Sequence, residues 1–139
     1  EEMLRILLKR FIILCTRIAR EKFSVSPERE KAFDMVRQFY VLVDNHFKEK
    51  KMVQDYANML HRSPKTLSNL FTTCGLPSPL RIIHERIEAE AKRLLLYSQK
   101  SAKEITEILG FEDQATFSRF FKKMTGESVS EYRKREKQE

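Results

Sequence analysis

The chain has 139 residues, of which 41% are hydrophobic and 34% are charged. This balance excludes disordered and fibrous proteins and allows one or two small hydrophobic cores. Lysine and arginine number 27 against 20 aspartates and glutamates, and the net charge of +7 suits a polyanionic partner without identifying one. Because glycine and proline are scarce and no alternating strand pattern persists, the sequence predicts an all-α fold.

The cysteines and apolar runs predict no metal site, no cofactor and no membrane span. Cys15 and Cys74 stand in different segments, without the paired Cys or His spacing that holds zinc. The longest apolar run, Phe11–Cys15, is far shorter than the roughly 20 residues needed to cross a bilayer. No secretory signal is visible and the first Met is at position 3, so we expect a fragment of a longer, cytoplasmic protein.

Residues 1–23 show the three-and-four spacing of a helix with one apolar side, which is typical of a coiled-coil seam. The candidate dimer seam consists of Leu4, Leu7, Phe11, Leu14 and Ile18. Leu8, Ile12 and Cys15 widen the apolar stripe, and the pattern lasts for fewer than three heptads. Burial in a local helical bundle is therefore the alternative, and the sequence leaves both open.

Ser26 and Pro27 form a start signal for a second helix, because serine caps a helix and proline tolerates its first turn. We predict this helix over about residues 28–47. The segment that follows it, Phe47–Lys51, contains four charged residues after one aromatic residue. It is predicted to be a solvated turn.

A first helix-turn-helix pattern begins near residue 52, turns at His61–Arg62 and continues in a helix that Ser63 can cap. Ser78-Pro79 then begins a connector of about 19 residues, which is predicted to end near Tyr97. At 1.5 Å per residue the connector is roughly 28 Å long, comparable to the ~34 Å between successive major grooves on one face of DNA. A rigid connector of that length can hold two reading helices apart.

A second helix-turn-helix pattern follows the connector. Ser101 and Glu104 have the spacing of a capping box, Gly110 makes the turn, and Asp113 can cap the next helix. A final short helix is predicted to begin with another capping box at Ser128. The chain therefore contains the same supersecondary unit twice.

Two stretches fifty residues apart, Leu67–Phe71 and Phe117–Phe121, are nearly alike. Their apolar residues share the inward side of a helix, so the outward side holds Lys65, Ser68, Asn69 and Thr72 in the first unit and Ala115, Ser118, Arg119 and Lys122 in the second. These residue types suit the major groove, where arginine bonds guanine, asparagine bonds adenine and alanine meets the thymine methyl. Any amphipathic helix has a polar outer face, but duplication in matching register favours DNA reading.

Residues from about 50 to 135 resemble the DNA-binding domain of AraC/XylS-type bacterial transcription regulators. The resemblance is carried by Ser63–Phe71, Ile105–Gln114, Phe117–Lys123, Gly126 and Ser128–Arg133. It implies an all-α fold in which two helix-turn-helix subdomains are joined by a long connector helix and preceded by two N-terminal helices. Asn69 stands where family members often carry arginine, and Val129 where they often carry proline.

The resemblance also implies roles for the outward-facing side chains. Base-reading positions fall on Lys65, Ser68, Asn69, Gln114, Ala115, Ser118 and Arg119. Closeness to the reading helices adds a set of candidate phosphate contacts, namely Arg62, Ser63, Thr66, Thr72, Lys103, Thr116, Lys122 and Lys123.

The same resemblance implies a domain organisation and partners. Residues 1–23 would be the closing helix of a sensor or dimerisation domain, residues 24–49 a linker and helix, and residues 50–135 the DNA-binding domain. The implied partners are double-stranded DNA, a second copy of the chain bound through the N-terminal helix, and RNA polymerase, in the bacterial nucleoid. The effector-binding barrel of such regulators is absent from the sequence, so no ligand pocket or cofactor is predicted.

Two other classes of function compete with DNA reading. His46, His61 and His84 stand apart, and the sequence lacks a glycine-rich phosphate loop and a nucleophile elbow, so we predict no catalytic residue and no enzyme. The stronger alternative is a helical protein-interaction or dimerisation module without specific DNA reading.

Overall fold

The computed structural model describes residues 2–22 and 26–136, with side chains for residues 6–19 and 26–135. The described residues are helical or in turns and contain no strand, which confirms the all-α prediction. The helices in chain order are α1 (Glu2–Lys22), α2 (Pro27–His46), α3 (Val53–Met59), α4 (Pro64–Thr73), α5 (Pro79–Tyr97), α6 (Ala102–Ile108), α7 (Gln114–Thr125) and α8 (Val129–Glu136). The predicted 19-residue connector is confirmed as α5.

The chain divides into two compact units, Glu1–Asp34 and Met35–Glu139. In the compact unit Glu1–Asp34 every described side chain of α1 is exposed, and the large apolar residues of α1 are 53% to 65% exposed. Leu7, Phe11, Leu14 and Ile18 of the candidate seam are among these, whereas the Leu4 side chain lies outside the described residues. The choice between a dimer seam and a bundle face stays open.

The compact unit Met35–Glu139 is built around the connector α5, whose buried side contributes Ile82, Ile83, Ile87, Ala91, Leu94 and Leu95. The pair α3 and α4 packs on α5, as does the pair α6 and α7, and α8 packs on α5 and α7. The core is continuous across both helix-turn-helix units. Because each short pair buries its apolar side against the same helix, the connector fixes both pairs in one body.

The second half of α2 belongs to this core. Val36, Phe39, Val43 and Phe47 are buried, with the three- and four-residue spacing of one helix side. The Phe39 ring lies 5.0 Å from the ring of Phe71 in α4, centroid to centroid. The sequence-based start of the DNA-binding domain near residue 50 stays a prediction, but the compact unit that contains both helix-turn-helix pairs begins at Met35.

The sequence predicts an N-cap for α4, α6 and α7, and the structure confirms each of these caps. The Ser63 Oγ accepts a hydrogen bond from the Thr66 N–H at 3.1 Å. The Asp113 Oδ1 accepts one from the Thr116 N–H at 2.7 Å. Ser101 forms the predicted capping box with Glu104, and Ser128 bonds Glu131 in the same reciprocal way. These bonds satisfy backbone donors that would otherwise lack partners at the helix starts.

The prediction of a solvated turn after α2 is confirmed at the exposed Glu49 and Lys50 and wrong at Phe47 and Lys51. Phe47 is only 4% exposed, and Lys51 is partly buried with its amine directed at backbone carbonyls. Phe47 continues the buried side of α2 by one further turn, so burying it removes apolar area from water. A lysine can bury its aliphatic stem while its amine finds acceptors at helix ends, which a count of charged residues does not reveal.

Candidate nucleic-acid interface

The turns of the two helix-turn-helix units begin in the same way. In the first unit the backbone N–H of His61 donates to Asn58 O and that of Arg62 to Ala57 O. Gly110 and Phe111 in the second unit make the matching bonds to Glu107 O and Thr106 O. His61 and Gly110 both have a positive φ, 54° and 72°. Both turns therefore begin with the same hydrogen bonds to the last turn of the preceding helix.

The units differ by one residue in the length of the turn. Leu60 and Leu109, the C-caps of α3 and α6, are 49 residues apart, whereas the N-caps Ser63 and Asp113 are 50 apart. The offset of fifty that the sequence predicts therefore holds for the reading helices α4 and α7 and not for the helices before them. The second turn contains the extra residue between Gly110 and Asp113.

Helix α4 presents the predicted base-reading side chains of the first unit to solvent. Leu67 and Phe71 are fully buried on its inner side. Lys65, Ser68 and Asn69 are exposed on the outer side. The first unit therefore offers one cation, one hydroxyl and one amide along an accessible helix face.

Helix α7 has the corresponding arrangement. Phe117 and Phe121 are fully buried, and both Phe120 and Met124, which the sequence also predicts to be inward, are partly buried. The predicted base-reading residues Gln114, Ala115 and Arg119 are exposed, and Ser118 is partly buried.

The Arg119 side chain is oriented by the start of its own helix. The Arg119 Nη2 donates to the Thr116 Oγ1 at 3.4 Å. The hydrogen bond from the Thr116 backbone N–H lowers the pKa of the Asp113 carboxyl, and the nearby positive charge of Arg119 acts in the same direction. The Arg119 guanidinium is thus directed towards Thr116, in the first turn of α7.

The candidate phosphate contacts fall into two groups. The first group uses its hydroxyls within the protein: Ser63 and Thr66 bond each other at 2.8 Å, Thr72 donates to Ser68 O, and Thr116 accepts from Arg119. The basic candidates are exposed and form no ion pair within the described part of the chain: Arg62, Lys103, Lys122 and Lys123.

Ion pairs concentrate instead on the connector. Arg81 pairs with Glu85 and Lys92 with Glu88 along α5, both at 2.7 Å. Arg86 reaches Asp44 in α2 at 2.7 Å. The four basic candidates near α4 and α7 thus keep an uncompensated charge within the described part of the chain, while the basic side chains of the connector are paired with carboxylates.

Sequence reasoning missed a second set of residues that positions the site. Lys51 bonds Leu109, the residue before Gly110, where the turn after α2 approaches the turn before α7, and these two residues are 58 apart along the chain. The continued apolar spacing from Val43 to Phe47 could have indicated burial of that turn. No local signal indicates the contact of Lys51 with Leu109, because the two residues share no helix or repeat.

Two reading helices carried on one connector define a double helix-turn-helix, a class of DNA-binding domain. A family of helix-turn-helix domains of the AraC/XylS type matches residues 56–135, which is more than half of the chain. The chain therefore belongs to the AraC/XylS family of transcription regulators and carries the DNA-binding domain of that family.

Curated relatives are transcription regulators rather than enzymes. The HTH-type transcriptional regulator YisR of Bacillus subtilis is 30% identical over 122 residues, which cover 87% of this chain and 41% of that protein. The arabinose operon regulatory protein of Salmonella typhimurium is 36% identical over 92 residues, 66% of this chain and 31% of that protein. The chain spans less than half the length of either relative.

Solved structures share the fold. The C-terminal domain of AraT, a response regulator from Geobacillus stearothermophilus, matches with a TM-score of 0.65 at 29% identity, covering 72% of this chain and 84% of that one. The DNA-binding domain of AdpA in complex with a target DNA matches with a TM-score of 0.60 at 23% identity, covering 71% and 88%.

No described helix combines the length and apolarity needed to cross a bilayer. No described group of three or more His, Cys, Asp and Glu side chains has a metal-binding arrangement.

Proposed function

We propose that the chain binds specific sequences of double-stranded DNA by placing α4 and α7 in successive major grooves on one face of the duplex. The observation that supports this most is the pairing of two exposed polar helix faces with one shared connector, on whose buried side both units pack. A docking module would need no second unit in the same register. Membership of a transcription regulator family also favours DNA over a protein partner.

The two helix-turn-helix units offer different side chains for base reading. In the second, Arg119 is suited to donate to guanine O6 and N7, Gln114 to pair with adenine and Ala115 to contact a thymine methyl. In the first, Lys65 can donate to guanine and Asn69 can pair with adenine. Ser68 and Ser118 complete the two faces with hydroxyls that accept or donate.

Phosphate contacts fix the orientation of both helices. Arg62, Lys103, Lys122 and Lys123 would supply charge, while Ser63, Thr66, Thr72 and Thr116 would supply hydroxyls near the helix starts and along the helices. Each phosphate neutralised releases counterions, so affinity should fall as salt rises.

The length of the connector sets a geometric condition on the complex. At 19 residues, α5 is about 28 Å long, shorter than the ~34 Å groove repeat. Either the DNA bends towards the protein or one reading helix is held less tightly. A bent duplex gives shifted electrophoretic mobility when the site is moved along a fragment, and an undistorted duplex does not.

The decisive experiment is selection of bound duplexes from a random library at physiological salt, followed by sequencing. We expect an asymmetric motif with two blocks about 10 base pairs apart. One short block would mean that a single unit reads sequence. No enrichment, together with binding that is insensitive to salt, would replace this proposal with the protein-interaction module.

We further infer that the regulator acts as a homodimer through α1. We place it in the cytoplasm, at the bacterial nucleoid, and propose RNA polymerase as its second macromolecular partner. The exposed apolar side chains of α1 support a second copy as the occupant, because a second α1 would cover the same residues on both chains. Transcription from a promoter bearing the selected motif, with purified polymerase, tests the last point.

A further inference from the structure

We propose that Lys51 is a positioning residue for DNA reading, one that holds the second helix-turn-helix unit at a fixed distance from the first. The turn between α2 and α3, residues 47–52 and hereafter the α2–α3 turn, is the element through which it acts. This inference rests on the proposed two-groove reading. It concerns how the two units are spaced and adds no contact with DNA.

The amine of Lys51 joins the ends of two helices. The Nζ donates to Lys48 O at 2.6 Å, in the turn that ends α2, and to Leu109 O at 2.7 Å, at the C-cap of α6. A positive charge at the carboxyl end of a helix is favourable, because the final carbonyls lack partners and carry partial negative charge. Lys51 serves two helix ends with one cation.

The environment of the amine is partly apolar. Its Nζ lies 5.1 Å from the centre of the Phe111 ring, in the turn of the second unit. Burial lowers the pKa of the Lys51 amine from its ordinary value. Hydrogen bonds from a cation in such surroundings are less weakened by water than surface ones, so the contact is suited to hold two elements together.

Gly110 gives an independent sign that the contact is close. A Cβ added at Gly110 would lie 3.0 Å from the Lys48 carbonyl carbon, still closer to its oxygen, and 3.1 Å from the Lys51 Nζ. The matching residue in the first unit is His61, a residue with a side chain. The left-handed turn alone therefore does not require glycine. The α2–α3 turn approaches the second unit at Gly110 closely enough to exclude a side chain there.

The same turn is also fastened to the first unit and to the connector. The Tyr56 hydroxyl in α3 donates to Lys50 O at 2.7 Å, and Tyr56 is fully buried. The Arg86 guanidinium of α5 lies 4.2 Å from the centre of the Phe47 ring while it pairs with Asp44. The α2–α3 turn thus contacts both units and the helix between them, and only Lys51 among these side chains reaches the carbonyl at the end of α6.

The spacing of the two half-sites is the property that Lys51 should control. In duplexes built from the two selected blocks, the unaltered chain should prefer one separation sharply. Lys51→Met keeps the stem and removes the donor. We expect it to weaken binding at the preferred separation by about five- to tenfold and to flatten the preference over neighbouring separations. Binding to a duplex with the first block alone should not change.

A second measurement needs no DNA. Spin labels at Thr73→Cys in α4 and Glu107→Cys in α6, both exposed, report the distance between the units after Cys15 and Cys74 are changed to serine. We expect a narrow distance distribution that Lys51→Met broadens. An unchanged distribution overturns the proposal whatever the DNA does. Broadening without a change in spacing preference overturns its link to DNA reading.

Gly110→Ala supplies a steric version of the same test, with Gly75→Ala as its matched control. Both glycines have positive φ, 72° and 68°, but a Cβ at Gly75 would meet nothing within 4 Å. Gly110→Ala should broaden the distance distribution and Gly75→Ala should not. Equal effects of the two variants would mean that backbone strain causes the broadening, which overturns the proposal. If Gly110→Ala fails to fold, the Lys51→Met measurements test the proposal instead. Failure of the unaltered chain to select two blocks would instead count against the proposed function.

Discussion

The ring of Phe39 in α2 packs edge-on against the ring of Phe71 in α4, with centroids 5.0 Å apart and both side chains fully buried. The Tyr56 ring of α3 lies 5.5 Å from Phe39 on another side. The helix before the first helix-turn-helix unit therefore contributes the aromatic centre of that unit. Stability of the first reading helix depends on residues outside the sequence match that identifies the family.

Removing the Phe39 ring should destabilise the whole compact unit Met35–Glu139. We expect Phe39→Ala to lower the free energy of unfolding by about 3–5 kcal/mol, because a large buried ring leaves a cavity among Phe71 and Tyr56. Urea unfolding followed by circular dichroism measures the change. Val41→Ala, at a site 58% exposed on the same helix, is the control and should shift stability by less than about 0.5 kcal/mol. Equal losses at both positions would contradict this account of the core.

Truncation tests where the folded unit begins. A chain that starts at Met35 keeps Val36, Phe39, Val43 and Phe47 and should unfold cooperatively. One that starts at residue 50 loses these residues and should show weakened tertiary packing, because the exposed α3 and α4 side would lack its cover. Thermal melting with near-ultraviolet circular dichroism distinguishes them. A cooperative transition in the shorter chain would support the sequence-based boundary near residue 50.

Most of the fold could be predicted from local sequence signals. Ser63, Ser101 and Asp113 mark helix starts with side chains that bond nearby backbone N–H groups, so a few adjacent residues determine each boundary. Leu67 and Phe117 could be assigned to the core because helical spacing repeats in both units. These features depend on neighbours within one or two turns.

The positioning contacts could not be predicted in that way. Lys51 bonds Leu109 across 58 residues, and nothing in a run of charged residues distinguishes it from its solvated neighbours Glu49 and Lys50. Gly110 is expected in a turn, but its closeness to Lys48 depends on how α2 packs on the second unit. Tertiary packing decides such contacts, and local propensity carries no information about them.

A charge placed in the candidate seam should separate the proposed dimer. We expect the double change Leu7→Lys and Leu14→Lys to give a monomer, because two lysines on each chain would face one another across an apolar contact. Sedimentation equilibrium measures the mass. Thr16→Lys, on another side of α1, adds charge outside the seam and should leave the dimer intact. Unchanged mass in the double variant would rule out the seam.

Acid should lower the stability of the second helix-turn-helix unit through the N-cap of α7. The Thr116 N–H lowers the pKa of the Asp113 carboxyl in the folded chain, so the ionised cap stabilises the fold above the ordinary carboxyl pKa. That contribution is lost as pH falls from about 4 towards the lowered value. Asn is an equally good cap that does not titrate, so Asp113→Asn should gain stability relative to the unaltered chain over this window. Parallel pH profiles in urea unfolding would contradict the role of the carboxylate.

Arg119 and Lys123 should have separable effects on DNA binding, because the proposal makes one a base contact and the other a phosphate contact. Arg119→Ala should cost about 1–3 kcal/mol on the selected sequence and relax the preference at one position, with little loss on random DNA. Lys123→Ala should weaken binding to both DNAs alike and reduce the salt dependence by about one unit of log-log slope. Fluorescence anisotropy titrations on selected and random duplexes at several salt concentrations measure both quantities. If the two variants lose the same affinity on both duplexes, the division between reading and positioning contacts on α7 is wrong.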